Sequence, residues 1–479
     1  MSATGPLVVV GDALLDCDID GQVSRLCPDA PAPVLENPMP AWRPGGAALA
    51  ALLAAAEDVP VVLVAPLGDD EASATVRVLL EPHVTVISLP LTGPLAEKTR
   101  FRTGARTLLR VDRGDGRAGL VSGAAGARAA EAIAAAGAVL VADYGRGTTA
   151  DDHLRSALAR QAARVPLVWD PHPKGAGPVP RTRLATPNHV EAVAAAGAPA
   201  APEGTGGQRV RSATAAGRQL ARRWQADWVA VTLGDGGAVL VQGDSGPLVV
   251  PARPLAVTDT CGAGDRFAAA AAAALGRGAL PSEAVTAATE AATSYLAAGG
   301  AARYTPRTRT AAVTLSRPVI APAADRSQPA GAAELARRVR AAGGTVVATG
   351  GCFDLLHAGH VSLLQAARTL GDCLIVCLNS DASVRRLKGD GRPLNREADR
   401  IALLSALACV DAVIVFVEDT PCAVLDQIRP DIWVKGGDYD GRDLPEAALL
   451  ENWGGTAVTV PYLSGRSTTR LQAALADEL

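Results

Sequence analysis

The chain has 479 residues, enough for two to four domains, and its 46 basic and 49 acidic residues leave a formal net charge of −3. That balance excludes a nucleic-acid stripe or a polybasic membrane patch as the organising feature. Alanine runs such as Ala268–Ala274 are too short and too weakly apolar to span a bilayer, and eight cysteines without repeated spacing fit a reduced, cytoplasmic protein.

Leu7–Val10 leads straight into Gly11 and Asp12, so it reads as a first strand and turn and not as a signal peptide. A Pro-rich segment, Cys27–Pro33, follows Asp16–Asp20, and Arg43-Pro-Gly45-Gly46 runs into an Ala/Leu helix ending near Ala56. Further buried strands are expected at Pro60–Ala65, Ala138–Ala142, Pro166–Trp169, Trp228–Thr232 and Ala238–Gln242, with Ala-rich helices between several of them. Such alternation predicts an α/β layer on a mainly parallel sheet, which binds ligands beyond the carboxyl ends of its strands. Polar punctuation collects at those ends: Asp143–Arg146, Asp170–Lys174, Thr186–Glu191 and Thr232–Gly236.

Thr258–Asp265, followed by a helix over Arg266–Leu275, is the strongest element of this half. Gly262, Ala263 and Gly264 let backbone N–H groups converge on an anion at a helix start. Asp265, in the first helical turn, is placed to take the proton of a hydroxyl that attacks a phosphoryl group held there. An aspartate cap after a glycine turn is the plain alternative.

Arg307–Pro329 is Pro-rich and weakly periodic and reads as a linker, before a short amphipathic helix over Ala332–Ala342. The expected division is 1–312, 313–330 and 331–479. The strand Gly344–Thr349 then meets Gly350-Gly351-Cys352-Phe353, and helical spacing starts at Gly359. His357 and His360 therefore flank a helix start, where unpaired N–H groups and two imidazoles suit a triphosphate whose pyrophosphate leaves. Helix-cap histidines or a metal pair are the alternatives, though no third ligand lies near. Strands at Cys373–Leu378, Ala412–Phe416, Ile432–Lys435 and Val458–Val460 predict a second doubly wound sheet, with a basic turn at Ser383–Gly389 and a helix at Glu397–Ala408. Lys388 and Lys435 each adjoin a glycine turn at a strand end and could reach a phosphate. Ser467, Thr468 and Thr469 offer hydroxyls at another expected helix start.

Thr258–Asp265 resembles the anion-hole and catalytic-base signature of the ribokinase-like carbohydrate kinases, and GCFDLLHAGH resembles the HxGH signature of the cytidylyltransferase-like nucleotidyltransferases. Together the halves resemble the bifunctional heptose 7-phosphate kinase/heptose 1-phosphate adenylyltransferases. The resemblance implies a ribokinase-like three-layer domain followed by a Rossmann-like nucleotidyltransferase domain. It implies ATP as co-substrate, Mg2+ placed indirectly by Glu191, sugar phosphates as the other ligands, and a homodimer or larger assembly through the kinase half, with Asp16–Leu35 as a candidate lid. For the kinase, it implies sugar contacts from Asp12, Asp16, Gly45, Gly46, Lys98, Arg100 and Arg110, and nucleotide contacts from Asn188, Glu191, Thr232, Gly234 and Gly236. For the transferase, it implies catalytic His357, His360 and Lys388. Nucleotide contacts there fall to Gly351, Cys352, Phe353, Gly359, Lys435, Gly436, Ser467, Thr468 and Thr469.

Two departures stand out. Leu49 occupies a position where the kinases usually carry an Asn that bonds sugar hydroxyls, and Gly350 replaces an Asn frequent in the transferases. The first leaves room for a weakened or non-catalytic sugar-binding half. A transferase using another nucleoside triphosphate or sugar phosphate is the second alternative, and a non-catalytic nucleotide sensor a third.

Overall fold

The structure, a computed structural model, describes residues 5–104, 106–197, 206–257, 259–302, 329–437 and 445–461. The chain divides into two compact units: Met1–Ala198 with Gly217–Asp235 and Ala252–Val313, and Pro199–Ala216 with Gly236–Pro251 and Thr314–Leu479.

The first unit is built on parallel strands in the order Val229–Thr232, Leu184–Ala185, Leu167–Asp170, Ala138–Ala142, Leu7–Gly11, Val61–Pro66, Thr85–Leu89. Leu7–Gly11 and Ala138–Ala142 are buried at every position, as expected of strands covered on both faces, and this is why they read as continuous apolar runs. Leu7–Gly11 lies between Ala138–Ala142 and Val61–Pro66, so the strand order reverses there. The crevice that such a reversal opens lies past Gly11 and Ala142, where Asp12 and Asp143 follow. The helix Ala263–Gly276 buries its whole Ala268–Ala274 run. A Cβ on its Gly276 would come 3.0 Å from the Ala138 Cβ, so small side chains set how closely helix and sheet approach.

A second sheet of four strands stands apart, in the order Pro33–Gly46, Ala13–Leu26, Glu97–Thr103, Arg106–Arg113. Asp16–Leu35, expected as lid material, lies in its first hairpin, with the Pro-rich Cys27–Pro33 as the turn region. Its strands were not legible as such because their outer halves are polar and exposed.

The second unit has parallel strands in the order Ala412–Phe416, Cys373–Asn379, Val346–Gly351, Ile432–Gly436, Thr456–Val460. The hairpin Ala238–Val241/Leu248–Val250 joins its edge, with Leu248 beside Thr459. Order reverses at Val346–Gly351, which places the following histidine loop at the crevice. One local expectation is corrected. Ser383–Gly389 is not a turn: Asp381–Lys388 is helical, capped by the Ser380 hydroxyl, which accepts from the Ser383 N–H at 3.2 Å, and anchored by buried Val384. The expected linker up to residue 328 and Ser467, Thr468 and Thr469 lie outside the described residues, and the linker's expected end is already helical, in Pro329–Ala341.

Candidate active sites

In the first unit, Gly262 caps the helix Ala263–Gly276 with a φ of 80°. A Cβ there would lie 2.5 Å from the Tyr295 hydroxyl oxygen and 3.1 Å from Leu49 Cδ2, so glycine is required on both counts. The Ala263 N–H is already donated to the Thr260 carbonyl at 3.2 Å, which braces the turn. Leu49 is buried, packs under this turn, and so serves the nest as apolar support.

Asp265 is 7% exposed, and its Oδ1 accepts the Tyr144 hydroxyl at 2.6 Å. Burial pushes this carboxyl up to about 6, opposed by the Tyr144 hydrogen bond. Tyr144 itself is raised well above its ordinary value, by burial and then by the Asp265 charge.

Asp12 is a clamp. Its oxygens accept the N–H groups of Tyr144, Arg146 and Thr148 at 3.1, 2.9 and 3.2 Å and the Thr148 hydroxyl at 2.6 Å. It thereby fixes the loop that carries Tyr144. A Cβ on Gly45 would meet Asp16 Oδ2 at 2.7 Å, and one on Gly46, at φ 59°, would meet the Asp12 carbonyl at 2.5 Å; the glycine pair therefore admits both aspartates. Asp16 pairs with Arg100 at 3.2 Å, Arg102 bridges Asp18 and Asp259 at 3.4 and 3.5 Å, and Arg43 also pairs with Asp18.

Lys98 and Arg110 line a cleft of about 690 Å³ together with Tyr144, Arg117, Arg146 and Lys174; Arg100 is not among its lining residues. Burial lowers Lys98 from the usual lysine value. Arg110 is held by Asp112 through two bonds of 2.7 Å.

Asn188 and Glu191 form a reciprocal capping box on the helix His189–Ala196, at 2.9 and 3.0 Å. Asn188 bridges Thr232, and Gly234–Gly236 forms a single 3₁₀ turn. Burial raises Glu191, raises Asp170 well above its ordinary value, and brings Asp143 up to about 6.

In the second unit, His357 caps the helix Ala358–Thr369, its Nδ1 accepting the Gly359 N–H at 3.1 Å. The His360 ring centroid lies 3.9 Å from that of His357 and 5.2 Å from that of Phe353. Burial drives His360 down to about 4, with the charges of His357 and Lys388 acting the same way. Burial also lowers His357. Both imidazoles are therefore neutral near pH 7, acting as hydrogen-bond partners before any anion arrives. Phe353 holds a φ of 45°, and its ring lies 3.4 Å from where a Gly351 Cβ would be. Lys388 is exposed at its helix end, while Lys435 pairs with buried Glu446 at 3.5 Å and sits 5.2 Å over the Trp433 ring. Gly436 closes the same strand.

Two residues that organise this site escaped the sequence reading. Arg400 is fully buried; it donates to the carbonyls of Cys352, Asn379 and Asn395 at 2.6, 2.8 and 3.1 Å and to Asp381 at 2.8 Å. Asp354, 2% exposed, accepts from Arg392 and from the Leu394 and Asn395 N–H groups at 2.6, 2.7 and 3.1 Å. The one available signal was position: Arg400 sits four residues before Leu404, on the buried face of its helix.

Residues 6–307 match the pfkB family carbohydrate kinases and residues 348–454 the cytidylyltransferase-like family. The bifunctional protein HldE of Streptomyces coelicolor is 55% identical over 98% of this chain and 97% of its own length. The chain belongs to the HldE family. HldE of Azorhizobium caulinodans is 38% identical over 98% of both chains. Among solved structures, Arabidopsis thaliana ribokinase complexed with ribose and ATP is 22% identical, with a TM-score of 0.47 over 62% of this chain and 94% of its own.

As a member of the HldE family the chain joins a carbohydrate kinase to a nucleotidyltransferase, in ribokinase-like and cytidylyltransferase-like α/β folds. It is a bifunctional heptose kinase and adenylyltransferase. No helix among the described residues is long and apolar enough to cross a membrane. The Gly350 departure has a packing cause in this chain. A Cβ there would come 2.6 Å from the Trp433 ring, which is fully buried.

Proposed function

We propose that the two sites work as follows. In the kinase unit, Asp265 accepts the proton of the anomeric hydroxyl of heptose 7-phosphate. Tyr144 holds Oδ1, so the proton goes to Oδ2. The freed oxygen attacks the γ-phosphorus of ATP, the bond to the β-bridging oxygen breaks, and ADP leaves; the Gly262–Gly264 turn holds the transferring charge. The observation that carries this is the buried Asp265 at the helix start, tied to the cleft by Tyr144.

A divalent cation fits beside the nucleotide. Asp170 and Glu191 are carboxylates pushed up by burial and not paired with Lys or Arg among the described residues, so a cation would offset their charge. Glu191 would hold Mg2+ indirectly, most of its ligands being phosphate oxygens and water. When bound, it would neutralise charge that develops on the β- and γ-phosphates.

In the second unit, the phosphate oxygen of heptose 1-phosphate attacks the α-phosphorus of ATP and pyrophosphate departs. His357 and His360 bond the charged oxygens, Lys388 adds a mobile positive charge, and the positive dipole end of the helix start completes the cradle. Lys435 acts from its position beside Glu446. Removal of the 7-phosphate between the steps falls to a separate phosphatase-class enzyme.

We keep the domain division 1–312, 313–330 and 331–479; the spans of the two family matches, 6–307 and 348–454, support it without fixing its boundaries. We place the protein in the cytoplasm, and we propose a homodimer or larger assembly through the kinase lid, which exposed Met39 and Trp42 on its outer strand support. The deciding experiment supplies the whole chain with heptose 7-phosphate, ATP and an added bisphosphate phosphatase. ADP, then pyrophosphate and ADP-heptose, are expected; pyrophosphate from heptose 1-phosphate alone would remove the kinase half of this account.

A further inference from the structure

The ion network beside the Gly262 turn joins Arg43, Arg100 and Arg102 to Asp16, Asp18 and Asp259. Three positive groups match three negative ones, so the cluster has no surplus charge with which to hold a ligand; it holds protein to protein. Asp259 alone of the six comes from outside the four-stranded sheet, and it lies three residues before Gly262. Arg102 is the side chain that crosses to it. Arg102 and Asp18 are both buried and pair at 3.4 Å, but Asp18 also serves Arg43. The rest of the match for Arg102 is Asp259 Oδ2 at 3.5 Å, 157 residues away in sequence. Strand pairing is irregular at this place: Phe101 stands opposite Leu109 and Arg102 opposite Thr107, with Leu108 left between them. A bulge of this kind re-aims the side chain beside it.

Asp259 has a second task. Its other oxygen, Oδ1, accepts the Cys261 N–H at 3.0 Å, while the Cys261 carbonyl accepts the Tyr295 hydroxyl at 3.2 Å. Cys261 is thus gripped at both ends, immediately before the glycine whose φ of 80° opens the helix. The Asp259 side chain is 36% exposed, so without a partner on Oδ2 it would be free to turn towards water and release the first of those grips. Resting on the kinase reading above, we infer that Arg102 is a positioning residue for phosphoryl transfer. Through Asp259 it keeps the Gly262–Gly264 turn in the shape that receives the transferring charge. Arg102 itself touches neither substrate, so its loss lowers the rate of transfer and leaves sugar affinity in place.

Steady-state kinase kinetics on the full-length protein test this with Arg102→Gln, Asp259→Asn, their double variant and Arg102→Lys. Arg102→Gln is expected to lower kcat about 10-fold, as loss of one charge-assisted pair does, with the KM for heptose 7-phosphate unchanged. Asp259→Asn keeps an oxygen for the Cys261 N–H and removes only the charge, so it should match Arg102→Gln. Asp259 is partly exposed, so its variant decides the matter even if a change at buried Arg102 prevents folding. The double variant should be no slower than either single one, because both remove the same pair. Arg102→Lys keeps the charge and should recover part of the rate. A kcat within about twofold of wild type in both single variants, losses that multiply in the double variant, or a change in KM alone would overturn the positioning role. A wild-type chain that transfers no phosphate to heptose 7-phosphate would overturn the kinase reading and this role with it, whereas an active wild type with unaffected variants overturns the role alone.

Discussion

The two sites solve opposite problems with burial. Around Asp265, burial makes carboxylates more basic: Asp265 and Asp143 rise to about 6, and Asp170 goes well above its ordinary value. Around the histidine pair, burial strips positive charge, taking His360 down to about 4. The kinase acceptor is a hydroxyl that must lose a proton, so its site needs a base with some affinity for that proton. The adenylyltransferase acceptor is already an anionic phosphate. Its site needs no base, only neutral donors and amides that stay open until the triphosphate arrives.

The largest effects should separate the two halves. Asp265→Asn is expected to lower the kinase kcat by about 10²–10⁴-fold, the usual worth of a positioned base, while pyrophosphate release from heptose 1-phosphate and ATP stays at the wild-type rate. His360→Ala is expected to do the reverse, cutting adenylyl transfer by about 10²–10³-fold. If either substitution impaired both activities equally, the separation drawn here would be wrong.

Next in size is Arg400→Ala. Four acceptors around a fully buried guanidinium would be left unmatched, so stability should fall by about 3–5 kcal/mol, read as a lower denaturation midpoint of the second unit's transition. Surface Arg429→Ala, ion-paired among the described residues with exposed Asp426 alone at 3.7 Å, should change stability by less than about 1 kcal/mol.

Arg400 also shows where sequence stopped being legible. The parallel strands were readable, since strands covered on both faces must be continuous apolar runs, and Leu7–Gly11 and Cys373–Asn379 are just that. The placement of the helix-start glycines, Asp265 and the histidine pair at helix starts was readable because it is local: a turn, a cap and a side chain within a few residues. The lid strands were not, because long polar strands such as Ala13–Leu26 lack the apolar pattern that marks a core strand. Nor were Asp12 as a loop clamp, Tyr144 as the partner of the base, or Arg400 and Asp354 as braces. Their bonds span separations of 132, 121, 48 and 38 residues, which no local pattern encodes.

The pH dependence of the kinase follows from Asp265. As the proposed base it acts only when ionised, so kcat/KM should climb as pH rises through about 6, and the adenylyltransferase should lack that limb. Stability runs the other way. A carboxyl whose folded value lies above its unfolded 3.8 contributes most when protonated, so its contribution is full below pH 3.8 and is lost as pH rises through about 6. Asp265→Asn should therefore stabilise the first unit at pH 8, by on the order of 2–3 kcal/mol, with the gain vanishing in acid. Thermal unfolding of both proteins across that range reads it directly.

Tyr144→Phe gives the smallest and most selective effect. The Tyr144 hydroxyl donates to Asp265 at 2.6 Å, which favours the ionised carboxylate and partly offsets burial. Removing only that oxygen leaves the ring in place against His172, 6.3 Å between centroids, and under Lys98, 5.7 Å away. The charges that face Asp265 are then Asp16 and Asp170, which oppose its ionisation, and Lys98, which favours it. The acid limb of kcat/KM should move up by about one pH unit, the shift that about 1.4 kcal/mol of lost hydrogen bonding produces, with the plateau at high pH reduced less than tenfold. A structural role alone would lower the plateau and leave the limb where it was. The limb is therefore the quantity that shows whether the neighbouring hydroxyl tunes the base or merely packs beside it.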